Sequence, residues 1–407
     1  MPINKKSKLN NVITWLHLWL GLISGIIVVV ICITGCLFAF QKEITDYVHR
    51  KELFIASPGK NASVLPLSLL KEKAQAVLGK EHPVNYITAY ADPHRAWEFM
   101  AYQTGDPNAV TFPGSIRFYQ SAFLNPYTGE VTGRMNYMRN FFVIVKYIHW
   151  SLFLNTRYGQ PIVGWATLIF VISLITGFIM WIPKRWSKAE KEKAFTIKWK
   201  AAWKRLNYDL HNVLGFYTVI IALILAFTGM VYAFTWFSSA VYTAGSLSTK
   251  APERITYVSD TTLSRQIADP IDKAFADAVR TYPDARRYGV SVRAASREAT
   301  LSVTAYSQKE VYYDASTLYF DQYSGKQLGS DTFQSENNGE KLLLMNYDIH
   351  VGAIGGLAGK MIAFLVTLVC GSLPVTGFII WWGKKKKETV RPVTAKKYEP
   401  ACKVPVS

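Results

Sequence analysis

Four stretches of this chain contain no Asp, Glu, Lys or Arg: Leu9–Gln41, Tyr158–Pro183, Leu210–Thr249 and Met361–Gly383. Each exceeds the roughly 20 residues that cross a bilayer as an α-helix. Inside hydrocarbon the backbone must satisfy its own polar groups, which a helix does. Four membrane-spanning helices are therefore expected. Basic residues set their direction. Lys5, Lys6 and Lys8 precede the first span. Lys184, Arg185, Lys188, Lys191, Lys193, Lys198, Lys200, Lys204 and Arg205 separate the second from the third, and Lys384 to Lys387 follow the fourth. The positive-inside rule makes these segments and both termini cytoplasmic. The formal charge of +18 then reflects topology and attraction to lipid, and no nucleic-acid partner is expected.

The second constraint is an internal repeat. His17, Gly21 and Thr34-Gly35 have the same spacing as His211, Gly215 and Thr228-Gly229, at an offset of 194 residues. Gly159 and Thr176-Gly177 match Gly359 and Thr376-Gly377, with 17 residues from Gly to Thr in both. Tyr147-Ile148-His149 corresponds to Asp348-Ile349-His350. The run Phe123-Leu124-Asn125-Pro126-Tyr127-Thr128-Gly129-Glu130-Val131 reads as a strand, a Gly turn and a return strand. Tyr319-Phe320-Asp321-Gln322-Tyr323-Ser324-Gly325-Lys326-Gln327 repeats it. A tandem duplication is expected: helix, outside α+β unit, helix, twice over. Both copies start on the same side, so an axis along the membrane normal should relate them.

This gives a membrane α+β protein with eight segments. Residues 1–42 are a cytoplasmic tail and span one, 43–140 an outside domain, and 141–183 an outside His segment leading into span two. Residues 184–208 are a basic cytoplasmic loop, with Trp186, Trp199 and Trp203 suited to the membrane surface. Span three occupies 209–244, a second outside domain 245–345, a second His segment with span four 346–383, and a cytoplasmic tail 384–407. Helices are expected at Leu67–Leu78 and Ile271–Thr281, and strands at Tyr86–Tyr90, Ala96–Tyr102, Tyr288–Arg293 and Thr300–Tyr306. Four cysteines, Cys32, Cys36, Cys370 and Cys402, offer no disulfide framework. Ile33-Thr34-Gly35-Cys36 looks like a lipoprotein cleavage site, but its counterpart ends in Met230, and span one is too long for a signal-peptide core.

An ionisable residue within a membrane is costly and points to function. Of the seven histidines, His17 and His211 occupy equivalent places near the cytoplasmic face, and His149 and His350 near the outer face. His49, His82 and His94 have no partner in the other copy. A lone membrane His more often packs or hydrogen-bonds, but duplication of both positions favours ligation. Two imidazoles make a poor zinc site, which takes four ligands, whereas facing imidazoles in a helix bundle suit a bis-His haem. With no Cys-x-x-Cys-His, two non-covalent b-type haems are expected. Gly21 and Gly215 remove bulk beside their histidines. The Gly of each Thr-Gly, Gly35, Gly177, Gly229 and Gly377, either clears room for haem or serves small-residue helix packing. Closed bis-His coordination favours electron transfer over oxygen activation. No flavin or nicotinamide fingerprint is present, so a separate cytoplasmic-side donor is expected.

Asp209-Leu210-His211-Asn212-Val213-Leu214-Gly215, Asn125-Pro126-Tyr127-Thr128-Gly129-Glu130-Val131 and Thr176-Gly177 with Trp181 together resemble the PepSY-associated transmembrane helix family of bacterial inner-membrane proteins. The likeness spans about residues 10–385. It implies PepSY-like periplasmic domains, two haem b groups held by His17, His149, His211 and His350, and reduction of a ferric siderophore or other ferric chelate outside the membrane. Asp321-Gln322-Tyr323-Ser324 departs from the Asn-Pro-Tyr-Thr of the first turn, which argues against a shared ligand role for the two turns. Tyr127, Tyr137, Tyr147, Tyr323 and Tyr347 are the aromatic candidates for substrate contact. Two other readings stand beside the reductase: a haem subunit that passes electrons to a periplasmic oxidoreductase, and a haem-free PepSY regulatory or binding protein.

Overall fold

The computed structural model describes residues 8–59, 62–262, 269–292, 296–308 and 311–389. Lys5, Lys6, Arg293, Cys402 and the tail from 390 onward lie outside the described residues. The helices are α1 (Lys8–Ala39), α2 (Gln41–Val48), α3 (Arg50–Leu53), α4 (Leu67–Leu78), α5 (Phe112–Ser115), α6 (Phe141–Ser151), α7 (Thr156–Trp181), α8 (Lys188–Phe195), α9 (Trp203–Asp209), α10 (Gly215–Ala233), α11 (Thr235–Ser246), α12 (Pro270–Thr281), α13 (Asn338–His350) and α14 (Gly356–Thr389). The strands are β1 (Tyr86–Tyr90), β2 (Trp97–Thr104), β3 (Ile116–Leu124), β4 (Val131–Asn136), β5 (Arg287–Ser291), β6 (Thr300–Tyr306), β7 (Ala315–Asp321) and β8 (Gln327–Thr332).

Among the described residues, four segments are long and apolar enough to cross a membrane: Lys8–Ala39, Thr156–Trp181, Trp203–Ala233 and Ala353–Lys384. The third begins before His211. Helix α9 continues into α10 through a π turn over Leu210–Leu214, so His211 sits on locally widened helix, a feature often found at functional sites. The spans pack around Val28, Cys32, Leu174, Val219, Ala222, Val366 and Cys370.

The segment between spans one and two and the segment between spans three and four share one sheet. Its order is β4-β3-β2-β1-β5-β6-β7-β8, with every neighbour antiparallel. The seam is β1 against β5, from Tyr86 opposite Ser291 to Tyr90 opposite Arg287. Both segments therefore lie on the same side of the bundle. Alternation along the strands decides which face is covered. Ile87, Phe99, Val290, Val303, Leu318 and Phe320 point to one face, where Leu70 and Ala74 of α4 and Ala274 and Ala278 of α12 complete the core. Helix α4 forms because Leu67, Leu70, Ala74 and Leu78 recur at helical spacing, and it stops at Gly79, whose φ of +88° suits glycine. The two helices meet where Asp272 accepts from the Ser68 backbone N–H at 2.9 Å.

The outer hairpin turns behave alike despite their different sequences. Asn125 Oδ1 accepts from the Tyr127 N–H, and Asp321 Oδ1 accepts from the Tyr323 and Ser324 N–H groups. Gly129 and Gly325 follow at φ +72° and +62°. Asn and Asp are interchangeable in this role, so the turns need no ligand to explain them.

Ile87 and Val290 face each other across the seam with no exposed surface. Ile87→Ala should cost about 2–5 kcal/mol and lower the thermal midpoint of the purified protein. An unchanged midpoint would mean that the seam adds nothing to stability.

Candidate functional site

The histidines of the repeat meet in two pairs. His17 and His211 have ring centres 6.1 Å apart and planes at 76°. His149 and His350 are also 6.1 Å apart, with planes at 60°. Each pair lines its own cavity within the bundle. The sheet-side cavity, about 510 Å³, contains His149 and His350, and the far cavity, about 280 Å³, contains His17 and His211. The sheet-side cavity falls within the roughly 300–1,000 Å³ typical of small-molecule pockets, and the far one lies just below it.

Each imidazole is held by a neighbouring helix. His17 Nδ1 lies 3.0 Å from the Ser173 carbonyl oxygen and 3.3 Å from Thr176 Oγ1. His149 Nδ1 lies 2.8 Å from the Ile31 carbonyl and 3.3 Å from Thr34 Oγ1. His350 Nδ1 lies 3.1 Å from the Leu225 carbonyl and 2.9 Å from Thr228 Oγ1, and His211 Nδ1 lies 2.9 Å from Thr376 Oγ1. A carbonyl can only accept. Each Thr hydroxyl already donates to the carbonyl four residues earlier, at Val30, Ile172, Ile224 and Ser372. Nδ1 is therefore the donor throughout, and Nε2 keeps its lone pair. This is how a metal-ligating His is fixed in one tautomer.

The Thr-Gly glycines sit against these rings. A Cβ on Gly177 would lie 2.9 Å from His17 Cε1, on Gly35 3.2 Å from His149 Cε1, on Gly377 3.2 Å from His211 Cε1, and on Gly229 3.6 Å from His350 Cε1. Their immediate work is to admit an imidazole from the next helix. All four also line a cavity, Gly35 and Gly229 the sheet-side one and Gly177 and Gly377 the far one. Gly21 and Gly215 line the far cavity too, but a Cβ there would meet no imidazole, nothing within 4 Å at Gly21 and Leu373 at 3.6 Å at Gly215.

The structure adds two asparagines that the sequence reading missed. Asn207 Nδ2 donates to the Thr376 carbonyl at 3.1 Å, and Asn346 Nδ2 to the Thr228 carbonyl at 3.0 Å. Each stands four residues before a histidine of the pairs, His211 or His350, and so on the same helix face. That spacing was the available signal. Two residues before the same histidines, Asp209 and Asp348 are fully buried. Asp209 holds Arg205 and the Lys198 N–H. Asp348 Oδ2 accepts from the Tyr312 and Tyr313 N–H groups at 3.0 and 2.9 Å, tying α13 to the sheet. Burial pushes its carboxyl above the ordinary range, against these N–H groups and Arg287.

Of the tyrosines, Tyr147 and Tyr347 line the sheet-side cavity. Burial raises the Tyr147 phenol to about 12, so it remains protonated. Tyr137 donates to Glu98, Tyr127 and Tyr323 belong to the hairpin turns, and none of the three lines either cavity. His49, His82 and His94 line neither cavity.

No group of three or more His, Cys, Asp or Glu side chains able to hold a bare metal ion occurs among the described residues. A metal that brings its own equatorial ligands needs only two. Metal–imidazole bonds of about 2 Å on opposite sides of one ion put the ring centres about 6 Å apart, and both pairs measure 6.1 Å. The four imidazoles, the open Nε2 atoms and the apolar cavities fit two bis-His haems. Lys146 and Lys384, the only charged side chains lining the respective cavities among the described residues, suit the carboxylate edge of such a group.

Four spanning segments beneath an antiparallel sheet define a multi-pass membrane protein. The profile of the PepSY-associated TM region family matches residues 14–384, and the chain belongs to that family. No curated protein matches it.

Two outcomes follow from this geometry. Because the clearance differs, Gly177→Ala should cost most, about 1–3 kcal/mol for overpacking, with Gly35→Ala and Gly377→Ala next and Gly229→Ala least. Thermal midpoints in detergent give the order, and a Gly229→Ala effect as large as that of Gly177→Ala would refute the cradle. For Asp348, the raised folded pKa means that stability is greatest below the unfolded value of 3.8 and falls as pH rises through the folded value. Asp348→Asn should flatten that slope in melts across the acid range. If the slope persists, another group causes it.

Proposed function

We propose that this protein is a di-haem b electron-transfer protein that reduces a ferric chelate, of the siderophore class, on the sheet side of the membrane. The observation that carries the reading is the pair of imidazole pairs, each with ring centres 6.1 Å apart and Nδ1 committed to a neighbouring helix. We also propose that the chain arose by tandem duplication and that the sheet comprises two PepSY-like units in the periplasm. The basic loop and both termini would then face the cytoplasm, in the bacterial inner membrane.

Haem would supply a one-electron ferric–ferrous couple at each cavity. The protein does the rest. His17 with His211 and His149 with His350 would hold the two groups, each pair supplying both protein ligands and leaving no place for substrate at the iron. The Thr hydroxyls and backbone carbonyls hold each ring on its Nδ1–H tautomer and raise the basicity of Nε2. The linings are mostly apolar, and the Gly positions allow helices to approach closely enough for each His to reach across. A polar ferric chelate stays outside hydrocarbon, so reduction belongs at the sheet-side cavity, near Tyr147 and Tyr347. Electrons enter from a separate donor at the far cavity.

The purified protein should show a Soret band that sharpens on reduction, with about two haems per chain. His17→Ala or His211→Ala should remove the far haem and keep the other, while His149→Ala or His350→Ala should do the reverse. Each variant should lose about half the bound haem, and all should stop transmembrane transfer. Pyridine haemochrome ratios, together with spectra of oriented vesicles given a donor on the basic-loop side, read this out. A wild-type protein without visible absorbance would favour the regulatory reading. If haem is present, comparing ferric chelates with candidate periplasmic oxidoreductases as acceptors distinguishes a chelate reductase from a haem subunit.

A further inference from the structure

Among the described residues, one side chain lines both cavities: Phe170, on α7. Three residues before it, Thr167 lines only the sheet-side cavity, and three and four residues after it, Ser173 and Leu174 line only the far one. Phe170 thus marks the boundary between the two spaces along α7. It packs against the apolar layer of Val28, Cys32, Leu174, Val219, Ala222, Val366 and Cys370. That layer contains no charged side chain, and one imidazole pair lies on either side of it.

We infer that Phe170 is the bridging residue between the two redox groups, the side chain through which an electron passes from one cavity to the other. This rests on the haem reading above. Among the described residues every other lining side chain touches one cavity only, so a path that avoids Phe170 must pass through at least two packed side chains in series. Electronic coupling falls with each through-space contact that a path must jump, so one side chain spanning the boundary is favoured over two in series. The aromatic ring fills the space with a rigid, polarisable group. The balance is simple. One electron leaves the iron held by His17 and His211 and arrives at the iron held by His149 and His350. The first goes from ferrous to ferric and the second from ferric to ferrous, with no bond made or broken and no proton moved. Phe170 borders both cavities and carries no ligating atom, so it is a positioning residue for transfer, and its replacement should leave haem binding unaffected.

The test uses the full chain in oriented vesicles, with a reductant supplied on the basic-loop side and the sheet-side haem followed by absorbance. Difference spectra of His17→Ala and His149→Ala separate the two haems. Phe170→Leu keeps an apolar plug but removes the ring, and Phe170→Tyr keeps the ring. Phe170→Leu should retain both haems and both midpoint potentials while slowing internal transfer by about tenfold or more, equivalent to about 1.4 kcal/mol of barrier. Phe170→Tyr should retain the wild-type rate. Unslowed transfer in Phe170→Leu overturns the proposal. So does loss of a haem or a shifted potential in that variant, because either makes Phe170 a packing residue. Wild-type protein lacking haem fails a different claim, the proposed function itself, and is seen before any Phe170 variant is made.

Discussion

An imidazole carried into a hydrocarbon layer has one N–H that must be satisfied, and the arrangement of this bundle follows from how that is done. Each of the four histidines hands its Nδ1–H to a different helix, at a threonine whose own hydroxyl is already committed to its helix backbone. The bond does two things. It removes a desolvation penalty of a few kcal/mol, and it locks α1 to α7, α6 to α1, α9–α10 to α14 and α13 to α10. The glycine after each threonine is the steric half of the same joint: a Cβ would crowd the ring at Gly177, Gly35 and Gly377 and reach ordinary contact with it at Gly229. Polar satisfaction, helix packing and exposure of four Nε2 lone pairs are one geometric solution.

The junctions between short and long helices obey the same economy of space. A Cβ on Gly159 would lie 1.9 Å from the Ser151 carbonyl oxygen, and one on Gly359 would lie 2.2 Å from that of Gly352. Bulk at either point would separate α6 from α7 or α13 from α14. Each short helix carries a histidine of the sheet-side pair, so these two glycines set the depth at which His149 and His350 meet.

Much of the architecture was legible because it is written in one-dimensional patterns. Absence of charge over more than a bilayer's width announces a span wherever it falls, and His17, His149, His211 and His350 could be paired from spacing alone. Strand alternation placed β1 and β6 to the residue, and β2 and β5 to within a residue or two. What stayed hidden depends on contacts between distant segments. Nothing local in Tyr86–Tyr90 says that it pairs with Arg287–Ser291, because an edge strand and an inner strand alternate alike. The π turn at Leu210–Leu214 has no sequence rule. Asn207 and Asn346 looked like ordinary helical polar residues until the threonine carbonyls they reach were in place. The Thr-Gly pairs were seen, but whether the glycine faces an imidazole or a cofactor is a matter of which helix stands opposite.

The seam of the sheet has a consequence for how the protein is made. Strands β1 and β5 are about 200 residues apart, and the chain between them crosses the bilayer twice before β5 emerges. Until then β1 presents an unpaired edge, the kind that invites pairing with another chain. Long-range pairing of this kind is slow even in water. During biosynthesis the first half must therefore wait, half-built, for the second to be threaded through. A nascent chain stalled after its second span would hold an open sheet edge beside other such chains, and quality control of this protein would have to act on that intermediate.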